Sequence, residues 1–195
     1  VKSQNKFNFY QEITLISSEE ISTDFLLCKV YEELHKIFSE LKCKGESNVA
    51  ISFPKYCLDN FTLGDKIRIF YLSEIQFEKV GLTSRLSKLL DYIHITKIRD
   101  VPSEIGFVNF SRVQIKDNKE KLVRRYSKRH NIEYDEACDL YVNYEEKDNN
   151  LPFVRLKSNS NSNYYILYIK QEKSEFRDGL FNSYGLSKDA TVPCF

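Results

Sequence analysis

The first hundred residues alternate extended and helical patterns in an order that few folds accept. Phe7 to Ile16 reads as a strand. From Phe25 to Leu41 the apolar residues Leu27, Val30, Tyr31, Leu34, Phe38 and Leu41 fall on one helical face. Thr23 or Asp24 is the expected N-cap, and Gly45 is a stop signal. Val49 to Phe53 is extended and closed by Pro54. Lys66 to Leu72 is extended again after a Leu63-Gly64-Asp65 turn. A short helix broken at Gly81 is expected within Glu74 to Leu90, and Tyr92 to Ile98 alternates once more. The order β-α-β-β-α-β is the split βαβ pattern of ferredoxin-like folds. Many RNA-recognition modules use it, but so do unrelated proteins, so function has to be argued from sites.

Pro102 and Gly106 bracket a connector, which places a boundary near 103. The expected architecture is α+β: an N-terminal ferredoxin-like (RRM-like) domain over residues 1–103 and a second domain over 104–195. In the second part, Phe107 to Ile115 is a short strand. A helix follows, with Asp117 as N-cap and Glu120 completing a capping box. An acidic helix runs from Tyr134 to about Tyr144. Leu151 to Lys157 and Tyr164 to Lys170 are strands, with the Ser158–Asn163 Ser/Asn tract as their hairpin loop.

The chain has 195 residues and a net charge of only +1, but the charge is unevenly spread. Between Ser111 and His130 stand Arg112, Lys116, Lys119, Lys121, Arg124, Arg125, Lys128 and Arg129, opposed by Asp117 and Glu120 alone. That segment carries +6 and the remainder −5. One concentrated basic segment in a near-neutral chain points to a local polyanion site rather than general adhesion to nucleic acid. On a helix of about 100° per residue, Lys121, Arg124, Arg125, Lys128 and Arg129 share an arc of roughly 140°. Leu122, Val123 and Tyr126 lie opposite, where the helix can pack. A-form RNA has a deep, narrow groove lined by phosphates, which a slim cationic helix can track. Charge alone leaves DNA backbone open, and a solvated helix face is the plainer alternative.

The five cysteines, Cys28, Cys43, Cys57, Cys138 and Cys194, form no C-x-x-C pair. They are expected to be reduced and mostly buried. No His/Cys/Asp spacing resembles a metal site, and no cofactor motif is present, so neither metal nor cofactor is expected. No apolar run approaches the roughly 20 residues needed to span a bilayer. The first ten residues are polar, so a cytoplasmic protein without membrane partners is expected. His35 sits at the edge of the apolar face of the first long helix. His94 alternates with Tyr92 on a strand and reads as structural. His130 ends the basic helix, where it suits the dipole and can reach phosphate.

Several blocks in order carry a further likeness: Ile51-Ser-Phe-Pro54, Ser111-Arg-Val-Gln114, Arg124-Arg125-x-x-x-Arg129-His130, Leu151-Pro-Phe-Val154, Ser158-x-Ser160 and Tyr184-Gly-Leu-Ser-Lys188 followed by Val192-Pro193. Together they resemble the type I-F CRISPR-associated endoribonucleases that process precursor CRISPR RNA. The likeness covers nearly the whole chain and is densest from Ser111 onward. It implies a modified ferredoxin-like second domain whose Arg-rich helix, about 118–130, lies in the major groove of a CRISPR repeat hairpin. It implies metal-independent cleavage at the 3′ base of that hairpin, with 2′-OH attack and a 2′,3′-cyclic phosphate product. It implies retention on the mature RNA as a subunit of a type I-F surveillance complex.

By position, the resemblance makes His35 the catalytic histidine, Ser158 the holder of the 2′-OH and Tyr184 a supporting tyrosine. Arg112 and Gln114 match the readers of bases in the lowest pairs, and Tyr165 an aromatic that stacks on the terminal pair. Lys121, Arg124, Arg125, Lys128, Arg129 and His130 are the phosphate-binding set. Arg to a guanine edge and Gln to an adenine edge are the expected pairings. The chain departs from the family at Val123, Ser127 and Lys128, where more arginine can occur, at Cys194, where an aromatic is usual, and at Asn161 to Asn163, which lack a glycine. Two alternatives stand beside the enzyme: a non-catalytic hairpin-binding subunit, and a structural ferredoxin-like pair that binds protein through its acidic surface.

Overall fold

The computed structural model describes residues 7–45, 48–103, 105–114, 119–144, 150–157 and 163–195. It divides into two compact units, 114–150 and the remainder of the chain.

The larger unit holds two antiparallel sheets. The first is built from β1 (Phe9–Leu15), β2 (Ala50–Ser52), β3 (Lys66–Tyr71) and β4 (Ile93–Ile95), in the order β2-β3-β1-β4. The helix α1 (Thr23–Cys43) links β1 to β2, and α2 (Glu74–Val80) with α3 (Leu82–Arg85) leads from β3 to β4. A short strand β5 (Arg99–Asp100) pairs with the start of β1. This arrangement is compatible with a ferredoxin-like half. The second sheet follows the same logic: β6 (Gly106–Val113), β7 (Phe153–Lys157), β8 (Tyr164–Ser174) and β9 (Val192–Cys194) in the order β7-β8-β6-β9. Here the segment between β8 and β9 is irregular rather than helical, so the mixed α+β architecture has one regular half and one modified half.

The apolar face read from the sequence is the buried face of α1, with Leu27, Val30, Tyr31, Leu34, Phe38 and Leu41 all inside. Each such side chain contributes about 1.5–3 kcal/mol by leaving water. The core is continuous from the first sheet into the second: Phe53 meets Phe110 edge-on at 5.5 Å, and the Tyr56 hydroxyl donates to the Ile169 carbonyl at 3.2 Å.

Several expectations are corrected. The N-cap of α1 is Ser22, not Thr23 or Asp24: Ser22 keeps extended backbone and its hydroxyl accepts the Phe25 N–H, whereas the next two residues are already helical. Gly45 follows the helix at φ +75° with its N–H on the Lys42 carbonyl, the left-handed stop the sequence indicates. The predicted Tyr92–Ile98 strand is interrupted. The Thr96 hydroxyl takes the Glu12 N–H, and pairing with β1 resumes only at β5. β8 runs to Ser174, four residues beyond the expected end, because β6 gives its polar end a pairing partner. The edge strand β9 has no counterpart among the sequence expectations, being three residues with a proline.

None of the five cysteines is buried. Cys43 is the last residue of α1, Cys194 lies on an edge strand, and both are exposed; the other three are half-buried. All are free thiols. Among the described residues no group of His, Cys, Asp and Glu is placed to hold a metal ion. None of their helices is long and apolar enough to cross a membrane.

The smaller unit contains α4 (Lys119–His130) and α5 (Tyr134–Leu140). Asn131, at φ +52°, ends α4, and the Ser127 hydroxyl donates to the Ile132 carbonyl at 2.7 Å. Asn commonly supplies such a left-handed stop. Asp117, the expected N-cap, and Lys116 lie outside the described residues.

Candidate active site and nucleic-acid interface

Tyr31 and His35 are four residues apart on α1 and project from neighbouring turns. Both reach the same tight turn between β8 and β9. The buried Tyr31 hydroxyl donates to the Tyr184 carbonyl at 2.9 Å, and His35 Nδ1 lies 2.8 Å from the Ser183 carbonyl. A carbonyl can only accept, so Nδ1 carries the proton. The neutral imidazole then presents a free lone pair at Nε2.

The turn itself is docked on the first sheet. The Ile51 N–H donates to the Gly185 carbonyl at 3.0 Å, extending the edge of β2 by one bond. Gly185 has φ +70°, and a Cβ there would stand 3.0 Å from Ile51 and Phe38, so both conformation and space call for glycine.

Tyr184 is the hub of the site. Its ring lies against the His35 imidazole, centroids 4.1 Å apart and planes 3° from parallel. Its hydroxyl is 2.9 Å from that of Tyr165, and the Arg112 guanidinium sits 5.5 Å from its ring centre. Arg112 pairs with Ile169 across β6 and β8. Ile169 and Tyr165 are four residues apart on β8, so Arg112 and Tyr165 share one face of the sheet. The sequence-designated His35, Tyr184, Tyr165 and Arg112 are therefore brought together.

The electrostatics favour a neutral histidine. Burial lowers the His35 pKa from its ordinary value, and the Arg112 charge adds to that; the Ser183 bond opposes it in part. Burial also raises the Tyr165 phenol, reinforced by its bond to Tyr184, and burial places Tyr31 well above its usual range. These phenols stay protonated near neutrality and act as hydrogen-bond donors or spacers rather than as bases.

A small cleft of about 80 Å³ opens beside His35, lined also by Glu32, Lys36, Leu156 and Lys157. Glu32, just under one turn before His35, accepts the Lys157 N–H at 3.1 Å and so ties the end of β7 to α1. Ser158 follows Lys157 in the chain, but the tract 158–162 lies outside the described residues.

Gln114 does not share a strand with Arg112. β6 ends at Val113, so the alternation expected to align the two side chains stops one residue short. Gln114 is exposed. His94 is exposed on β4.

In the smaller unit, α4 shows the expected two-sided character. Val123 is buried and Leu122 and Tyr126 half-buried, while Lys121, Arg124, Arg125, Lys128, Arg129 and His130 are exposed. Arg124 is paired with Glu120 at 2.6 Å, one turn earlier. The His130 ring packs on Tyr126 with centroids 4.1 Å apart, which fixes its direction at the helix end.

Three residues of the site are not marked by sequence reasoning: Tyr31, Glu32 and Asn182, whose Oδ1 accepts the Tyr184 N–H at 2.8 Å. Tyr31 reads as core, which it is, but its hydroxyl also holds the turn. Asn182-Ser-Tyr-Gly185 carries a readable signal, an Asn at the start of a turn with glycine three residues on.

Residues 10–195 match the family described as CRISPR-associated protein (Cas_Csy4). Two curated relatives are CRISPR-associated endonucleases Cas6/Csy4, one from Escherichia coli (strain UTI89 / UPEC) and one from Pseudomonas aeruginosa (strain UCBPP-PA14). Each is 29% identical over 188 residues, spanning 95% of this chain and 98% of the relative.

Proposed function

The chain belongs to the Cas_Csy4 family of CRISPR-associated proteins, and on that premise we propose that it is an endoribonuclease that binds a CRISPR repeat hairpin and cleaves at the hairpin's 3′ base. The observation that carries the reading is the His35 bond to Ser183, which leaves the Nε2 lone pair of a neutral imidazole free on a residue that lines the cleft. Nε2 takes the proton of the ribose 2′-OH. The 2′ oxygen attacks the adjacent phosphorus, the bond from phosphorus to the 5′ oxygen breaks, and that oxygen leaves as a 5′-OH by taking a proton from water, while the imidazolium formed at His35 returns its own proton to solvent. The product strand ends in a 2′,3′-cyclic phosphate. The RNA supplies its own nucleophile, so the chain's task is to orient it and to move a proton, typically worth about 10²–10⁴-fold.

In this reading residues 1–103 supply His35, and residues 104–195 supply the RNA contacts. Ser158 holds the 2′-OH, a role assigned by family resemblance alone. Tyr184 buttresses the imidazole, Arg112 and Gln114 read bases, and Tyr165 stacks on the terminal pair. The cations of α4 with His130 hold phosphates, so affinity and chemistry lie on different elements. The protein acts in the cytoplasm, needs no metal, stays on its product, and joins the other subunits of a type I-F surveillance complex.

The test is cleavage of the cognate repeat RNA in EDTA by wild type, by His35→Ala, and on a substrate with 2′-deoxyribose upstream of the scissile phosphate. Wild type cleaves fully. His35→Ala binds but cleaves at least about a hundredfold more slowly. The deoxy substrate is bound and left intact. Cleavage of the deoxy substrate overturns the mechanism, and binding without cleavage by wild type makes the chain a hairpin-binding subunit only.

A further inference from the structure

The Ser183–Tyr184 peptide is gripped from both sides. Its carbonyl faces His35 Nδ1 at 2.8 Å. Its N–H, which belongs to Tyr184, donates to Asn182 Oδ1 at 2.8 Å. The peptide group is planar and rigid, so fixing the N–H fixes the direction in which the carbonyl points. The same Asn182 oxygen accepts the Leu186 N–H at 3.3 Å, while the Asn182 main chain closes the turn through the Gly185 N–H at 2.9 Å and the Leu186 carbonyl at 2.8 Å. A line of hydrogen bonds thus runs from the Asn182 amide through one peptide plane to the imidazole. Each bond in such a chain polarises the next.

We propose that Asn182 is a positioning residue for the cleavage reaction: through the Ser183–Tyr184 peptide it holds His35 in the Nδ1–H tautomer that leaves Nε2 free. The proposal rests on the reading of His35 as the proton-handling group. Asn182 touches neither substrate nor reacting atoms. Its effect is to orient a carbonyl, and through that carbonyl the ring and proton of His35. Without the side-chain oxygen, the peptide plane is free to tilt. The Nδ1–H then loses its acceptor, and part of the histidine population moves its proton to Nε2, where it blocks proton uptake.

The decisive comparison is Asn182→Ala against Asn182→Asp, with three readouts on each folded protein: hairpin affinity, single-turnover cleavage, and the ¹⁵N resonances of His35, which report its tautomer directly. Asn182→Ala keeps wild-type affinity, cleaves on the order of tenfold more slowly, and shows a mixed His35 tautomer. Asn182→Asp, which retains the oxygen acceptor, restores both the rate and the Nδ1–H signal. A merely structural role would lower the melting temperature and leave the tautomer unchanged. A wild-type tautomer in Asn182→Ala overturns the proposal, whatever the rate. Should Asn182→Ala not fold, Asn182→Ser makes the same turn more weakly. A partial loss of the Nδ1–H signal there, made good in Asn182→Asp, supports the assignment, and equal signals in Asn182→Ser and wild type together with a slower cleavage rate overturn it. If wild type binds the hairpin without cleaving it, the endonuclease reading fails, while the tautomer comparison still decides the role of Asn182.

Discussion

The rings of His35 and Tyr184 lie parallel, 4.1 Å between centroids and 3° between planes. They come from opposite ends of the chain, one on α1 and one in the turn before β9. The stack blocks one face of the imidazole and restricts its rotation, while the Ser183 bond fixes which nitrogen carries the proton.

Removing the Tyr184 ring therefore acts on His35 rather than on RNA affinity. Tyr184→Phe keeps the stack and loses only the bond to the Tyr165 hydroxyl; it is expected to cleave within a few-fold of wild type. Tyr184→Ala removes the stack, which is worth about 0.5–1.5 kcal/mol for an aromatic pair, and frees the imidazole; cleavage is expected to fall at least about tenfold. Single-turnover rates at saturating protein separate this from binding. Equal loss in both variants points to the hydroxyl, and no loss in either removes Tyr184 from the site.

The burial that lowers the His35 pKa sets two pH dependences. If Nε2 accepts the 2′-OH proton, the cleavage rate rises with pH and levels off with a midpoint below 6.5, the ordinary histidine value. If His35 instead donates to the leaving oxygen, the rate falls as pH rises through that midpoint, so the profile chooses between the two roles. For stability, the unfolded chain binds this proton more readily than the folded one. His35 therefore contributes fully above about 6.5 and its contribution is lost as pH falls through the lower folded value. Chemical denaturation of wild type and His35→Ala across that window is expected to show the steeper slope in wild type.

Much of the fold is legible in the residues themselves. The six apolar residues of α1 are all buried, because a 3.6-residue period read against an apolar core leaves little freedom. The split faces of α4 are legible for the same reason. Short edge elements are not: β9 has three residues and a proline, and its pairing depends on β6, far away in sequence. The alternation around Arg112 runs on in the sequence, but β6 stops at Val113, so Gln114 lies just beyond the strand that carries Arg112. The meeting of His35 with Tyr184, Tyr165 and Arg112 rests on contacts between segments more than a hundred residues apart, among them Ile51 with Gly185 and His35 with Ser183. Periodicity has nothing to say about such a contact, and family resemblance supplies the grouping instead.

The α4 cations predict steep salt dependence. If about five phosphates are neutralised, log K falls with log[salt] at a slope of roughly −4 to −5. Arg125→Ala is expected to weaken binding to every stem and to flatten the slope by about one. Arg124 is partly engaged by Glu120, both side chains being more than half exposed. Such a surface pair is weak, about 0–1 kcal/mol, so Glu120→Gln should tighten RNA binding slightly and steepen the slope by less than one. Filter binding from low to high salt checks both. A salt-independent affinity removes α4 from the interface.

Tyr165 is the residue where binding and chemistry meet, since its ring is proposed to stack on the terminal pair while its hydroxyl bonds that of Tyr184 at 2.9 Å. Phenylalanine separates the two. Tyr165→Phe retains the ring, so hairpin affinity should stay close to wild type, base–aromatic stacking being worth about 1–3 kcal/mol and indifferent to the hydroxyl. It removes the partner of the Tyr184 hydroxyl, so cleavage should fall a few-fold. Tyr165→Ala loses the stack and, because the side chain also packs against the core, lowers the melting temperature as well. Affinity, melting temperature and single-turnover rate on both variants resolve these contributions. A folded Tyr165→Ala with wild-type affinity would show that the ring touches only protein, and its place at the site would then rest on Tyr184 alone.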